Sequence, residues 1–436
     1  MSTESKRKIP APFIAIAVLV VAWGAFTFWP SPDDDAPSVD EPTPQPVTEG
    51  PAPVFEETTP GTYVSGATPP PIVDGDGEGE WSTYHGGPSL TGMANVDLPD
   101  APVALWRFQA DNSVYHTPVT CGGNIFFTTF KGGIYALDLE GKEVWSKQMI
   151  REIREDGTPR LHRFDAPASC FESTVLVGTM SGALFAFDAA TGEEKWTYDV
   201  GGPVLGSVNL LDSDPLTVAV ISQEDGSVHS IDLAKGEQVW RTESIDRCDG
   251  SPSIHNGEII FGSCAAALHV FSTSDGELLR NIELDPDSQV AGGVALAGDS
   301  AFTGSHSGRV FHINSATGEI IWINQSAEDE IISTPAVRGN FVVFTAYDGR
   351  IYALDRNSGQ EKWRFETDGW PHSPVIAGDK VVADADGLLY LLDLETGKEI
   401  WSYEVSDEIS SPAIINGMIV VGSEDGTVTA FGAPRT

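Results

Sequence analysis

From residue 103 to the C-terminus, apolar residues fall into short runs rich in Val, Ile, Phe and Tyr, separated by Asn-Gly, Asp-Gly and Thr-Gly pairs. Alternation of this kind, punctuated by residues that tolerate positive φ, predicts short antiparallel strands joined by tight hairpins. Long amphipathic helical periodicity is nearly absent beyond the first thirty residues. The runs also repeat. "YALDLEGKEVW" ends at Trp145, "FAFDAATGEEKW" at Trp196, "HSIDLAKGEQVW" at Trp240, "FHINSATGEIIW" at Trp322, "YALDRNSGQEKW" at Trp363 and "YLLDLETGKEIW" at Trp401. With Trp106 ahead of them and Arg280 standing where a tryptophan would fall, the period is about forty residues, the length of a propeller blade.

Each unit holds three short strands and then the Trp-bearing fourth, as in "SPSIHNGEIIFGSCAAALHVF" (251–271) followed by the run through Arg280. Eight such units predict an all-β, eight-bladed β-propeller of four-stranded antiparallel blades. The ends complete one another. The last unit stops at Ala433 after its third strand, and "ALWRF" (104–108) stands alone before the first full unit. Together they make one blade, so N- and C-terminal strands close the ring and leave no open seam. The repeated tryptophans (Trp106, Trp145, Trp196, Trp240, Trp322, Trp363, Trp401) are expected to cover the glycine turns and fill the wedges between blades.

The pattern A-x-D-x-x-x-G-x-x-x-W, written here as "AFDAATGEEKW" (186–196) and "ALDRNSGQEKW" (353–363), resembles the pyrroloquinoline-quinone-like (PQQ-like) propeller repeat. That repeat is shared by quinoprotein dehydrogenases and by BamB-like outer-membrane assembly propellers. The leading "WSTYHGGPSLTGMA" (81–94) resembles the start of such proteins, and the resemblance spans residues 81–433. It implies the fold and leaves the function open between catalyst and binding scaffold. The dehydrogenase branch implies a funnel holding pyrroloquinoline quinone and calcium, with an adjacent-cysteine disulfide. None of the four cysteines here are adjacent, and long insertions between blades are missing. There is no G-x-S-x-G, Walker or H-E-x-x-H motif either. No catalytic residue, metal site or cofactor is therefore expected. The quinone and calcium belong only to the alternative, a quinoprotein oxidoreductase.

Composition adds the setting. Residues 1–10 form a basic flank containing Lys6, Arg7 and Lys8, and the uncharged run 11–29 is expected as a transmembrane anchor with the rest outside the cytoplasm. A cleaved signal peptide is the competing reading. Residues 30–80 hold twelve prolines, twelve Asp or Glu and no Lys or Arg, the composition of a disordered spacer. The net charge of −39 excludes nucleic acid as a partner.

Candidate chemistry concentrates on one rim. Loops before each first strand bring Tyr115, His116, Phe164, Asp165, Asp249, Trp370 and His372 toward one mouth, a candidate binding rim. The interval from Trp145 to Trp196 carries an insertion with Arg151, Arg154, Arg160 and Arg163, a basic island and a candidate partner loop on the same rim. His229, His269 and His312 read as hydrogen-bonded structural residues. Cys248 and Cys264 flank a hairpin turning at Asn256 and are expected to form a disulfide, while pairing of Cys121 with Cys170 is left open. The whole reads as a propeller anchored in the inner membrane by a single pass and facing the periplasm or exterior, where it scaffolds an envelope protein partner.

Overall fold

The computed structural model describes residues 54–72 and 80–434, and the basic flank and expected anchor lie outside them. Among the described residues, no helix is long and apolar enough to cross a membrane. Among the described residues the regular structure is β throughout: eight blades, each with a core of four antiparallel strands, stand around one axis. Blade 1 comprises Val119–Cys121, Asn124–Thr128, Gly133–Asp138 and Glu143–Gln148. Blades 2 to 7 start their first strands at Ser169, Asn209, Ser253, Ala295, Ala336 and Val375. Blade 8 is the composite: Ala413–Ile415, Met418–Gly422 and Thr427–Gly432 are completed by Val103–Gln109, with Trp106 opposite Ala430.

Second strands are almost wholly buried, whereas outer strands alternate exposed and covered positions. That gradient is what the pattern of apolar runs dictates, because the middle of each blade is packed on both faces. The Asp-Gly pairs at 225–226, 348–349 and 425–426 join second to third strands, with Gly226, Gly349 and Gly426 at positive φ.

The tryptophans join the blades in a fixed way. The ring of Trp145 lies over Gly192 of the next blade, where a Cβ would meet it at 2.7 Å, and its indole N–H donates to Ala189 O at 2.9 Å. Trp106, Trp196, Trp322 and Trp363 repeat both contacts on Gly141, Gly236, Gly359 and Gly397. Blade 4 departs from this. Arg280 donates to Ser315 O through Nε at 3.0 Å, and Ile282 takes over the cover of Gly318. Trp401 has no such turn to cover, since blade 8 has no hairpin between its third and fourth strands. It packs on Tyr403 and Phe431 instead.

Two segments before the ring depart from expectation. The acidic, proline-rich stretch is not spacer throughout: Glu56–Thr59 and Thr62–Val64 form a hairpin that extends blade 5, pairing Tyr63 with Ile323 and Val64 with Trp322. Composition averaged over residues 30–80 hides the β-forming triplet Thr62-Tyr63-Val64, which meets an unusually apolar outer strand, Ile320–Asn324. Residues 81–94, in turn, run inside the ring. Carbonyls of Trp81, Ser82, Pro88, Ser89, Thr91 and Gly92 accept from the first-strand N–H groups of Thr120, Cys170, Ile254, Leu296, Val337 and Ile376 at 2.7–2.9 Å. Innermost strands are sheet edges with orphan donors, and this segment satisfies them in six blades. It ends as Met93–Ala94, parallel to Val375–Ala377 of blade 7.

Candidate functional site

The loops entering the first strands converge as the repeat requires, and they surround a mouth of about 280 Å³. Its walls include Tyr115, His116, Tyr347 and His372, together with Tyr84 of the internal segment, which donates to Ser373 Oγ at 2.7 Å. The same segment lines a second cleft of about 570 Å³ with Cys121, Cys170 and the first hairpin turns of blades 1 and 2.

Two histidines of the mouth have opposite electrostatics. His372 Nδ1 lies 2.6 Å from Oδ2 of Asp384, a carboxylate with no exposed side-chain surface. That carboxylate pushes the imidazole up to about 9, so His372 is a cation at neutral pH. Burial instead pushes His116 down to about 4, leaving it neutral with Nε2 3.9 Å from Asp165. The mouth thus presents a charged donor and a neutral imidazole between tyrosines.

The expected rim residues divide. Tyr115, His116 and His372 line the mouth. Trp370 is 66% exposed beside it, stacked on Tyr347 with centroids 5.9 Å apart. Asp165 joins His116 to Arg163, which it meets at 2.6 Å. Asp249 is held by Arg247 and by Gln223 Nε2 at 2.8 Å, away from the mouth lining. Phe164 is fully buried in the core between blades 1 and 2, with Phe126 and Ala168, so it is packing and not rim. A loop residue adjoining a first strand can point either way, and an aromatic ring gains more from the core. Tyr84, Tyr347 and Asp384 escaped sequence reasoning. Asp384, an acid in a strand (Lys380–Ala385) that is otherwise apolar after Lys380, was the one legible signal.

The basic insertion is a hairpin, Ile150–Ile153 with Pro159–Leu161, rather than an open loop. Arg160 is neutralised by Glu152 at 3.0 Å, while Arg151 and Arg154 are exposed. Arg163 ties the hairpin's base to the mouth, lying 4.4 Å over the Phe130 ring, which in turn packs edge-on against Tyr115.

The disulfide lies elsewhere than expected: Cys121 and Cys170 are bonded with Cα atoms 5.8 Å apart, and Cys248 and Cys264 are free. Register in blade 4 ends at Ser253 opposite Ile260, so Cys248 belongs to the inter-blade loop and its thiol faces Gly250 O at 3.8 Å. Cys121 and Cys170 occupy neighbouring first strands, which run side by side around the axis. His229, His269 and His312 are buried and contact Tyr198, Asn281 and Ser300 respectively.

A closed ring of Trp-bearing repeats with a polar, aromatic mouth defines the class: a PQQ-like β-propeller. The chain belongs to the family described as outer membrane protein assembly factor BamB, whose model matches residues 141–289, 224–383 and 367–434. The BamB of Burkholderia pseudomallei is 28% identical over 303 residues, 64% of this chain and 73% of that protein. The crystal structure of BamB from Moraxella catarrhalis superposes with a TM-score of 0.64 at 18% identity, over 77% of this chain and 99% of that one. A quinohaemoprotein alcohol dehydrogenase from Pseudomonas putida gives 0.67 at 13% identity, over 82% of each chain. At such identities the two structural likenesses speak for the fold alone.

Proposed function

We propose that this protein is an extracytoplasmic binding scaffold for envelope protein assembly, held at the membrane by residues 11–29. The observation that carries the reading is the continuity of the rim: Arg163 joins the basic hairpin to Phe130, Asp165 and the mouth as one exposed surface. Membership of the BamB family supports a protein partner, and the inter-blade disulfide supports an oxidising compartment. The partner engages aromatic Trp370 and Tyr115 and offers carboxylates to Arg151 and Arg154, since guanidinium groups suit bidentate carboxylate contacts.

The alternative, a quinoprotein oxidoreductase, has the fold of the alcohol dehydrogenase in its favour. Less favourable to it, residues 81–94 run inside the ring and Tyr84 lines the mouth, where it donates to Ser373 Oγ.

The test places a photo-cross-linking residue at position 154 or 370 and, as control, at position 256 on the opposite face, in native membranes. A discrete protein adduct from the first two and none from the third is expected. Equal or absent adducts would remove the rim from partner binding. Titrating the protein with pyrroloquinoline quinone and calcium should leave the quinone spectrum unchanged, and saturation near one equivalent would favour the oxidoreductase.

A further inference from the structure

The outer strand of each blade except blade 5 is a sheet edge, and four of the eight blades open that strand with charge. Blades 2 and 6 open theirs with Glu-Lys (Glu194, Lys195; Glu361, Lys362), and blades 1 and 7 open with Glu143 and Glu399. Such residues discourage a foreign strand from pairing. Only blades 4 and 5 open with two consecutive large aliphatic residues, Leu278-Leu279 and Ile320-Ile321. In blade 5 the chain covers its own exception: the hairpin strand Thr62–Val64 pairs along the edge and leaves Ile321 2% exposed. In blade 4 nothing among the described residues covers it, and Leu278 and Leu279 are 45% and 44% exposed.

We infer that the outer strand of blade 4, Leu278–Glu283, is a strand-addition site for an extended segment of a partner protein that alternates aliphatic and basic residues. Blade 5 supplies the geometry, since the molecule already performs this addition on the neighbouring edge. The two edges are continuous: Phe55 and Tyr63 of the hairpin pack on the same apolar cluster as Ile282 and Leu284 of blade 4. Main-chain hydrogen bonds to the open edge supply affinity, and aliphatic side chains cover Leu278 and Leu279. Charge selects the occupant. Exposed Asp275, Glu277, Glu283 and Asp287 flank the strand, while the nearby cations are engaged, Arg280 by Glu258 at 2.6 Å and Arg309 by Asp285 at 2.6 Å. A second copy, carrying −39, is repelled, whereas lysine or arginine in the incoming strand is attracted. This site is separate from the rim and stands independently of it.

The probe is an eight-residue peptide alternating valine with lysine and threonine, added to the full chain and followed by amide hydrogen exchange. Saturable slowing at 278–283, by about tenfold or more, is expected. The double substitution Leu278→Glu with Leu279→Lys, which copies the opening of blades 2 and 6, should abolish the slowing without changing the melting temperature. A glutamate version of the peptide should not bind. Slowing that survives the double substitution, spreads to the other outer strands or never occurs would overturn the site. Equal binding of the acidic peptide would overturn the charge rule, and self-association lost in the double variant would make a second copy the occupant instead.

Discussion

The indole N–H of Trp363 in blade 6 donates to the carbonyl of Leu394 in blade 7 at 2.8 Å, and the indole ring lies over Gly397 so closely that a Cβ there would come within 2.5 Å. One side chain therefore binds two blades by a hydrogen bond and a steric fit at once. Replacing Trp363 with Ala should cost about 3–5 kcal/mol, as large aromatic truncations in cores do. Gly397→Ala should also destabilise, since Gly397 has φ +67° and no room beneath the ring. Thermal melts of both variants test this, and unchanged midpoints would contradict the packing.

The Cys121–Cys170 bridge closes a loop of 49 residues, a length for which a disulfide adds roughly 4 kcal/mol. Double substitution to Ser should lower the melting temperature of the oxidised protein and not of the reduced one. In a non-reduced digest, peptides holding these cysteines should be linked. Cys248, a buried thiol pushed up to about 12, should resist alkylation until the protein unfolds, while the partly exposed Cys264 labels earlier.

His372 gives a pH signature. Its folded-state value of about 9 lies above the ordinary 6.5, so the stability from its ion pair with Asp384 is fully present below 6.5 and is lost as pH rises through 9. The gap in melting temperature between the native protein and a His372→Gln variant should therefore shrink from pH 6 to pH 10. Imidazole resonances should show His372 titrating near 9 and His116 near 4.

Tyr63→Asp would place a charge on the apolar surface formed with Ile323 and the blade 4–5 cluster. A loss of about 2 kcal/mol is expected, with faster amide exchange in Ile320–Asn324. Exchange unchanged in that strand would mean that the hairpin does not pair there.

Changing Arg151, Arg154, Arg160 and Arg163 together to Ser should weaken partner capture and flatten its salt dependence. Stability should hardly change, because exposed pairs such as Arg160–Glu152 contribute little. Undiminished capture would move the partner site off the hairpin.

By itself the sequence determined the blade count, the closure of the ring by residues 103–109 and the pairing of the repeated tryptophans other than Trp401 with glycine turns. Those features are periodic and local: every blade is a chain of short hairpins whose turn residues and apolar runs recur in register, and even the substitution at Arg280 was visible as a break in the period. Tertiary structure alone decided which cysteines meet, that Phe164 points inward, that residues 81–94 line the inside of the ring and that Thr62–Val64 adds to blade 5. Each of these depends on how separate blades stand around a common axis, where first strands about fifty residues apart run side by side and an unpaired edge accepts whichever segment can reach it. Hydrophobic periodicity records which face of a strand is buried and carries no information about which distant strand it will lie beside.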